Sequence, residues 1–205
     1  MDTSGQLETG LEGFRYWPGA LGTQAQTDLL AQVRATVAEA PFYRPETPGG
    51  RPFSVLMTNC GPLGWVSDRG GYRYQPLHPL TGRPWPPIPP LLLTLWDRLT
   101  SHEAPPDACL VNLYRGPARM GLHQDRDEAD LTAPVLSVSL GDTAVFRNGP
   151  AAGGRTQAVR LASGDVCALT GLSRLARHGI DRTLPGTSRL LSGGGRLNLT
   201  LRRAR

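Results

Sequence analysis

Apolar positions along this chain follow two different periods. Between Thr23 and Pro41 they recur at helical spacing, with Leu29, Leu30, Val33 and Val37 on one face, which predicts an amphipathic packing helix. Thr23, with Gln26 three residues on, reads as a capping box at its start. Pro41 stops it. Ahead of this helix, Phe14-Arg15-Tyr16-Trp17 reads as a docking strand. A second, short helix is predicted over residues 91–99, behind the stiff connector Pro86-Pro87-Ile88-Pro89-Pro90, because a helix start tolerates proline. Elsewhere the period is two. Phe53, Val55 and Met57 alternate with Pro52, Ser54 and Leu56, and further strands are predicted over 109–114, 134–140 and 165–169. The last strand, Arg196–Arg202, alternates strictly. Leu197, Leu199 and Leu201 share one face, and Arg196, Asn198, Thr200 and Arg202 share the other. Taken alone, that polar face reads as the wet side of an edge strand. Short strands between Gly/Pro turns predict a β-sandwich or barrel with flanking helices.

Composition narrows the picture. The 205 residues suit a single domain (1–205) able to bury a sizeable core. Gly (25) and Pro (19) are frequent enough to demand many turns, and no internal repeat is visible. The net charge is +5 and every basic residue is Arg. Arg is the better bidentate partner for phosphate and carboxylate, so an anionic partner is expected, although a composition bias also accounts for the missing Lys. Cys60, Cys109 and Cys167 are odd in number and widely spaced, with no C-x-x-C. They predict neither a zinc ribbon nor a disulfide framework, but reduced cytoplasmic thiols. Asp2, Glu8 and Glu12 give the N-terminus no secretory leader pattern. No run of eighteen apolar residues predicts a membrane span.

The stretch from about residue 41 to 86 differs from its surroundings. Trp65, Tyr72, Tyr74 and Trp85 are interleaved with Arg51, Arg69, Arg73 and Arg83. Aromatic faces stack on bases while Arg reaches phosphates, so the mixture suits a nucleic-acid groove. A surface lobe with a small aromatic core of its own has the same composition.

Candidate chemistry centres on Gly121-Leu122-His123-Gln124-Asp125-Arg126-Asp127. In an extended strand His123 and Asp125 point the same way, as two ligands of one metal must. Chance alone places a His-x-Asp in about one such chain in five. With His178 as the third donor the set is the 2-His-1-carboxylate triad of non-haem Fe(II) oxygenases. The remaining iron positions accommodate a 2-oxo acid and dioxygen. A 2-oxo diacid needs a cationic anchor, and the last strand offers Arg196 and Arg202 on one face, at most about 20 Å apart. Asn112 and Tyr114, which share a face of their strand, can add hydrogen bonds. Asp127 falls one pleat beyond Asp125.

These residues, with their neighbours, resemble the AlkB family of Fe(II)/2-oxoglutarate-dependent nucleic-acid demethylases. The resemblance runs from about Ala40 to Arg202. It is carried by Thr47-Pro48-Gly49-Gly50, Met57-Thr58-Asn59-Cys60-Gly61, Leu63-Gly64-Trp65, Gly71-Tyr72-Arg73-Tyr74, Pro106-Asp107-Ala108-Cys109-Leu110, Leu122-His123-Gln124-Asp125, Asp127-Glu128, Val138-Ser139-Leu140-Gly141, Arg177-His178-Gly179 and Asn198-Leu199-Thr200. It implies a mainly β (α+β) fold: a double-stranded β-helix, or jelly-roll, over 87–205, a nucleotide-recognition lid over 41–86, and an N-terminal strand and helix over 1–40. It implies that His123, Asp125 and His178 hold Fe(II), and that Asn112, Tyr114, Arg196, Asn198 and Arg202 hold 2-oxoglutarate, with O2 as the second co-substrate. Trp65, Tyr72 and Tyr74 are then expected to flank a damaged base and Asp127 to contact it. Residues 147–160 depart from the family pattern, and Arg155 is the choice there for the substrate-contacting Arg. The implied activity is direct reversal of N-alkylation in DNA, single- or double-stranded, with RNA as a further candidate, by a monomer. The same core acting on a substrate other than nucleic acid is the alternative.

Overall fold

The computed structural model describes residues 6–8 and 10–205; Met1 to Gly5, part of the leader argument, lie outside them. Two antiparallel sheets face each other. The larger runs in the order β1 (Leu7–Glu8), β2 (Phe14–Trp17), β11 (Val166–Leu169), β8 (Val135–Gly141), β13 (Arg196–Arg202), β6 (Ala108–Tyr114) and β3 (Leu56–Cys60). The smaller runs β10 (Gln157–Leu161), β9 (Thr143–Gly149), β12 (Arg177–Leu184), β7 (Met120–His123). This is the expected jelly-roll. A separate hairpin, β4 (Gly64–Asp68) with β5 (Gly71–Gln75), carries Trp65, Tyr72 and Tyr74.

Helices α1 (Thr23–Glu39) and α2 (Pro90–Thr100) cover the outer face of the larger sheet. Leu29, Leu30 and Val33 of α1 and Leu92, Leu95, Trp96 and Leu99 of α2 pack there with Leu197, Leu199 and Leu201 of β13. Burying a Leu-sized side chain is worth about 1.5–3 kcal/mol, so this layer is a main source of stability. With its Leu face under helices, β13 turns Arg196, Asn198, Thr200 and Arg202 inward, between the sheets. All four are buried. The wet edge strand read from pattern alone is therefore wrong, because β13 sits centrally between β8 and β6.

Two local expectations also fail. No capping box forms at Thr23. The cap residue is Gly22, without a side-chain cap, and Gln26 instead donates to the Leu21 carbonyl (2.7 Å) and accepts from Ser163 Oγ (2.6 Å). A tertiary partner outbid the local one. The strand expected around Phe53 and Val55 begins only at Leu56.

Candidate active site

The iron-ligand candidates converge at one end of the inter-sheet space. His123 closes β7 and His178 is the second residue of β12, directly opposite in register. Their ring centroids are 4.5 Å apart. Gly179 permits that approach. A Cβ there would lie 2.6 Å from the Met120 carbonyl oxygen and 2.7 Å from that of Gly121. Asp125 is not on the strand with His123, as the alternation argument supposed. It lies in the loop beyond β7, and is brought back by its partners. Donor atoms of the three residues lie within 4.8 Å of one another. Asp125 Oδ1 is 3.5 Å from His123 Nε2, and Oδ2 is 3.7 Å from His178 Nε2.

Backbone carbonyls choose the tautomers. Nδ1 of His123 donates to the Gly121 carbonyl and Nδ1 of His178 to that of Ala176, each at 2.9 Å. Both Nε2 lone pairs are left facing Asp125, the arrangement metal-binding imidazoles need. Burial drives His178 down to about 4, against the pull of Asp125, so the ring is neutral at physiological pH. Burial would lower His123 too, but its hydrogen bond and charge contact with Asp125 outweigh it and raise the ring. Asp125 is pushed up by burial and held well below the carboxylate range by Arg202 and both imidazoles. The donor set of two imidazoles and one ionised carboxylate fits Fe(II).

Asp125 is fixed by a buried ionic network. Arg202 donates to Oδ2 through Nε (3.1 Å) and Nη2 (2.8 Å). Arg174 donates to the Asp125 backbone carbonyl (2.7 Å), to the Ala133 carbonyl (2.6 Å) and to Glu128 Oε2 (3.0 Å). Glu128 Oε1 accepts from the Tyr74 hydroxyl and lies 3.6 Å from Arg202. Tyr74 is thus a strut from the β4–β5 hairpin to the metal end of the site, not part of the cavity wall. Sequence reasoning assigned no role to Glu128 or Arg174. A buried Arg–Glu pair has no local signature, and only the fold brings 128 to 174. Breaking such a pair by removing one charge is costly. Glu128→Gln is expected to lower stability by about 3–5 kcal/mol, read by chemical denaturation of the metal-free protein. A change within error would show that the arginines find other partners.

From the triad, a cavity of about 570 Å³ runs between the sheets, within the usual size of ligand pockets. Asn112, Tyr114, Arg196, Asn198 and Arg202 line it. Arg196 is 1% exposed, with its guanidinium over the Tyr114 ring (5.4 Å to the centroid) and Nη2 on Ser139 Oγ (3.0 Å). Its Nε and Nη1 have no partner, nor has Asn112 Oδ1. A buried, half-satisfied guanidinium is the complement of a carboxylate, so the cavity fits a 2-oxo diacid. Asn198 is more fully engaged, with Ser137, Val138 and Thr200.

The opposite wall belongs to the rim. Trp65, Tyr72 and Asp127 line the cavity, with Trp65 Nε1 donating to Asp127 Oδ2 (2.8 Å). Trp65 and Tyr72 stack on each other, centroids 5.6 Å apart and planes 16° from parallel, so no base-wide slot stands open between them. Arg155 lies on an exposed loop outside the cavity wall.

A jelly-roll holding a 2-His-1-carboxylate set beside a carboxylate anchor defines a non-haem Fe(II) oxygenase that uses a 2-oxo acid. Residues 13–202 match the 2OG-Fe(II) oxygenase superfamily. The chain is 61% identical over 198 residues to "Alpha-ketoglutarate-dependent dioxygenase AlkB homolog" of Caulobacter vibrioides, covering 96% of this chain and 90% of the relative. It is 41% identical over 190 residues to "Alpha-ketoglutarate-dependent dioxygenase AlkB" of Escherichia coli K12, covering 88% and 85%. The solved structure of OsALKBH1 superposes with a TM-score of 0.80 at 30% identity, covering 96% of this chain and 99% of that one. This chain therefore belongs to the AlkB family of Fe(II)- and 2-oxoglutarate-dependent dioxygenases, with O2 as co-substrate.

Proposed function

We propose that this protein is an oxidative demethylase that reverses N-alkylation of nucleic acid bases, with 1-methyladenine and 3-methylcytosine in DNA as its substrates and RNA as a further one. The observation that carries the reading is the shared cavity, which joins the metal triad to the rim of Trp65, Tyr72 and Asp127. Iron and 2-oxoglutarate, when bound, supply oxidation of an N-methyl group by O2, with succinate and CO2 as by-products.

The chain's own residues do the rest. His123, Asp125 and His178 hold the metal. Arg196 pairs with the distal carboxylate of 2-oxoglutarate and Asn112 and Tyr114 orient it. Both lesions are cationic near neutral pH. The Trp65 face attracts a cation through its ring quadrupole, worth about 0.5–2 kcal/mol, and the Asp127 carboxylate adds opposite charge. Tyr72, exposed at 48%, is the ring that gives way, so that the base replaces it against Trp65. The base reaches the metal only when unstacked, and a methyl that blocks pairing lowers that cost. The hydroxylated methyl is a hemiaminal, which releases formaldehyde and restores the base. In this reading the segment 41–86 is the nucleotide-recognition lid.

Formaldehyde release from methylated single- and double-stranded DNA and RNA oligonucleotides, with iron and 2-oxoglutarate supplied, tests the proposal. No release, with 2-oxoglutarate turned over on another class of molecule, would favour the non-nucleic-acid oxygenase. Trp65→Ala is expected to raise KM for methylated oligonucleotide about tenfold or more, from loss of a base stack worth about 1–3 kcal/mol, and to leave KM for 2-oxoglutarate unchanged. An unaltered oligonucleotide KM would remove Trp65 from the base site.

A further inference from the structure

The three buried thiols occupy two different places. Cys60 and Cys109 face each other across β3 and β6, in the layer under the helices. Cys167, in β11, points the other way. It stands opposite Ser137 of β8 and lines the active-site cavity. Arg196, also in that wall, has two unpartnered nitrogens while 1% exposed. The two side chains are near enough that each perturbs the other's ionisation. Burial pushes the Cys167 thiol up to about 12, so it stays a neutral S–H, a weak donor.

We propose that Cys167 is a side wall of the 2-oxo acid site and sets the length of the diacid accepted. The inference rests on Arg196 as the anchor of the distal carboxylate. A diacid held by the metal centre at its oxo end and by Arg196 at the other has its span fixed. An additional methylene cannot extend it and has to bow sideways, and on the β11 side it meets the Cys167 sulfur. A methylene that does not fit a pocket costs about 10–200-fold in discrimination. The sulfur occupies about the volume of one methylene, so trimming it makes that room.

The test is titration calorimetry of 2-oxoglutarate and of 2-oxoadipate, one methylene longer, on manganese(II)-loaded protein. Cys167→Ala is expected to tighten 2-oxoadipate relative to 2-oxoglutarate by about tenfold. Cys167→Leu is expected to weaken both by about tenfold or more through overpacking. Infrared spectroscopy gives a second readout. Adding 2-oxoglutarate should shift one S–H stretching band, and that response should vanish in Cys167→Ala. If Cys167→Leu does not fold, the alanine variant and the infrared shift still decide. A wild-type selectivity ratio in Cys167→Ala, or an S–H spectrum blind to bound 2-oxoglutarate, overturns the proposal. Arg196→Met separates the two layers of the inference. Lost 2-oxoglutarate binding in Arg196→Met, together with a wild-type thiol that does not respond to bound 2-oxoglutarate, refutes Cys167 alone, whereas binding retained in Arg196→Met refutes the anchor and the proposal with it.

Discussion

Replacing Arg196 with methionine is expected to make the protein more stable and, in the same molecule, unable to hold 2-oxoglutarate. The opposite signs have one cause. Without a ligand, Arg196 is a buried cation held only by Ser139 and by Tyr114, over whose ring it lies, and burial pulls its guanidinium below its usual range. Its Nε and Nη1 have no hydrogen-bond partner in the folded chain. Each such group costs about 1–3 kcal/mol, and apolar replacement of buried charge is often stabilising. Arg196→Met should therefore raise the ligand-free unfolding free energy by about 1–3 kcal/mol. Losing the buried charge pair with a carboxylate costs about 2–5 kcal/mol, so Kd for 2-oxoglutarate should rise about 30-fold or more. Chemical denaturation and calorimetry check the two halves separately. Lower stability would mean that Arg196 has partners of its own in the folded chain. An unchanged Kd would remove it as the anchor.

His123→Ala is expected to bring turnover to background while leaving the fold and oligonucleotide affinity nearly intact. His123 offers one of the three candidate metal donors but is only half-buried at the end of a four-residue strand. Its removal therefore takes away metal affinity rather than core packing. Asp125 keeps Arg202, and His178 keeps its bond to Ala176, so the rest of the site stays in place. Formaldehyde release, metal titration and fluorescence anisotropy with a methylated oligonucleotide separate the three effects. Turnover equal to wild type would refute the metal assignment.

The sequence carried the elements whose signals are local. The apolar face of α1, the short helix after the proline connector and the strict alternation of β13 all appear where periodicity places them. The triad was legible because its residue types are scarce and chemically specific. Other features were not legible. β9 and β10 went unread because the Gly-rich turn between them masks a hairpin, in which Phe146 pairs with Val159. Glu128 and Tyr74 have roles that no local pattern shows. A carboxylate and a phenol read as surface or aromatic candidates until the fold places them against each other and against two buried arginines.

Residue types and their spacing marked His123, Asp125 and His178 as candidates for a ferrous ion, and Arg196 and Arg202 as candidates for a 2-oxo diacid. Side-chain type and period are intrinsic to each segment, so they survive the loss of all structural context. Tertiary structure alone decided which face of β13 meets the cavity, how the loop residue Asp125 returns to the two imidazoles, and that Trp65 and Tyr72 lie against each other. Those outcomes depend on which strands flank β13, on Arg174 and Arg202 arriving from distant positions, and on the close approach that Gly179 allows. They are contacts between residues far apart along the chain, and only folding makes them neighbours.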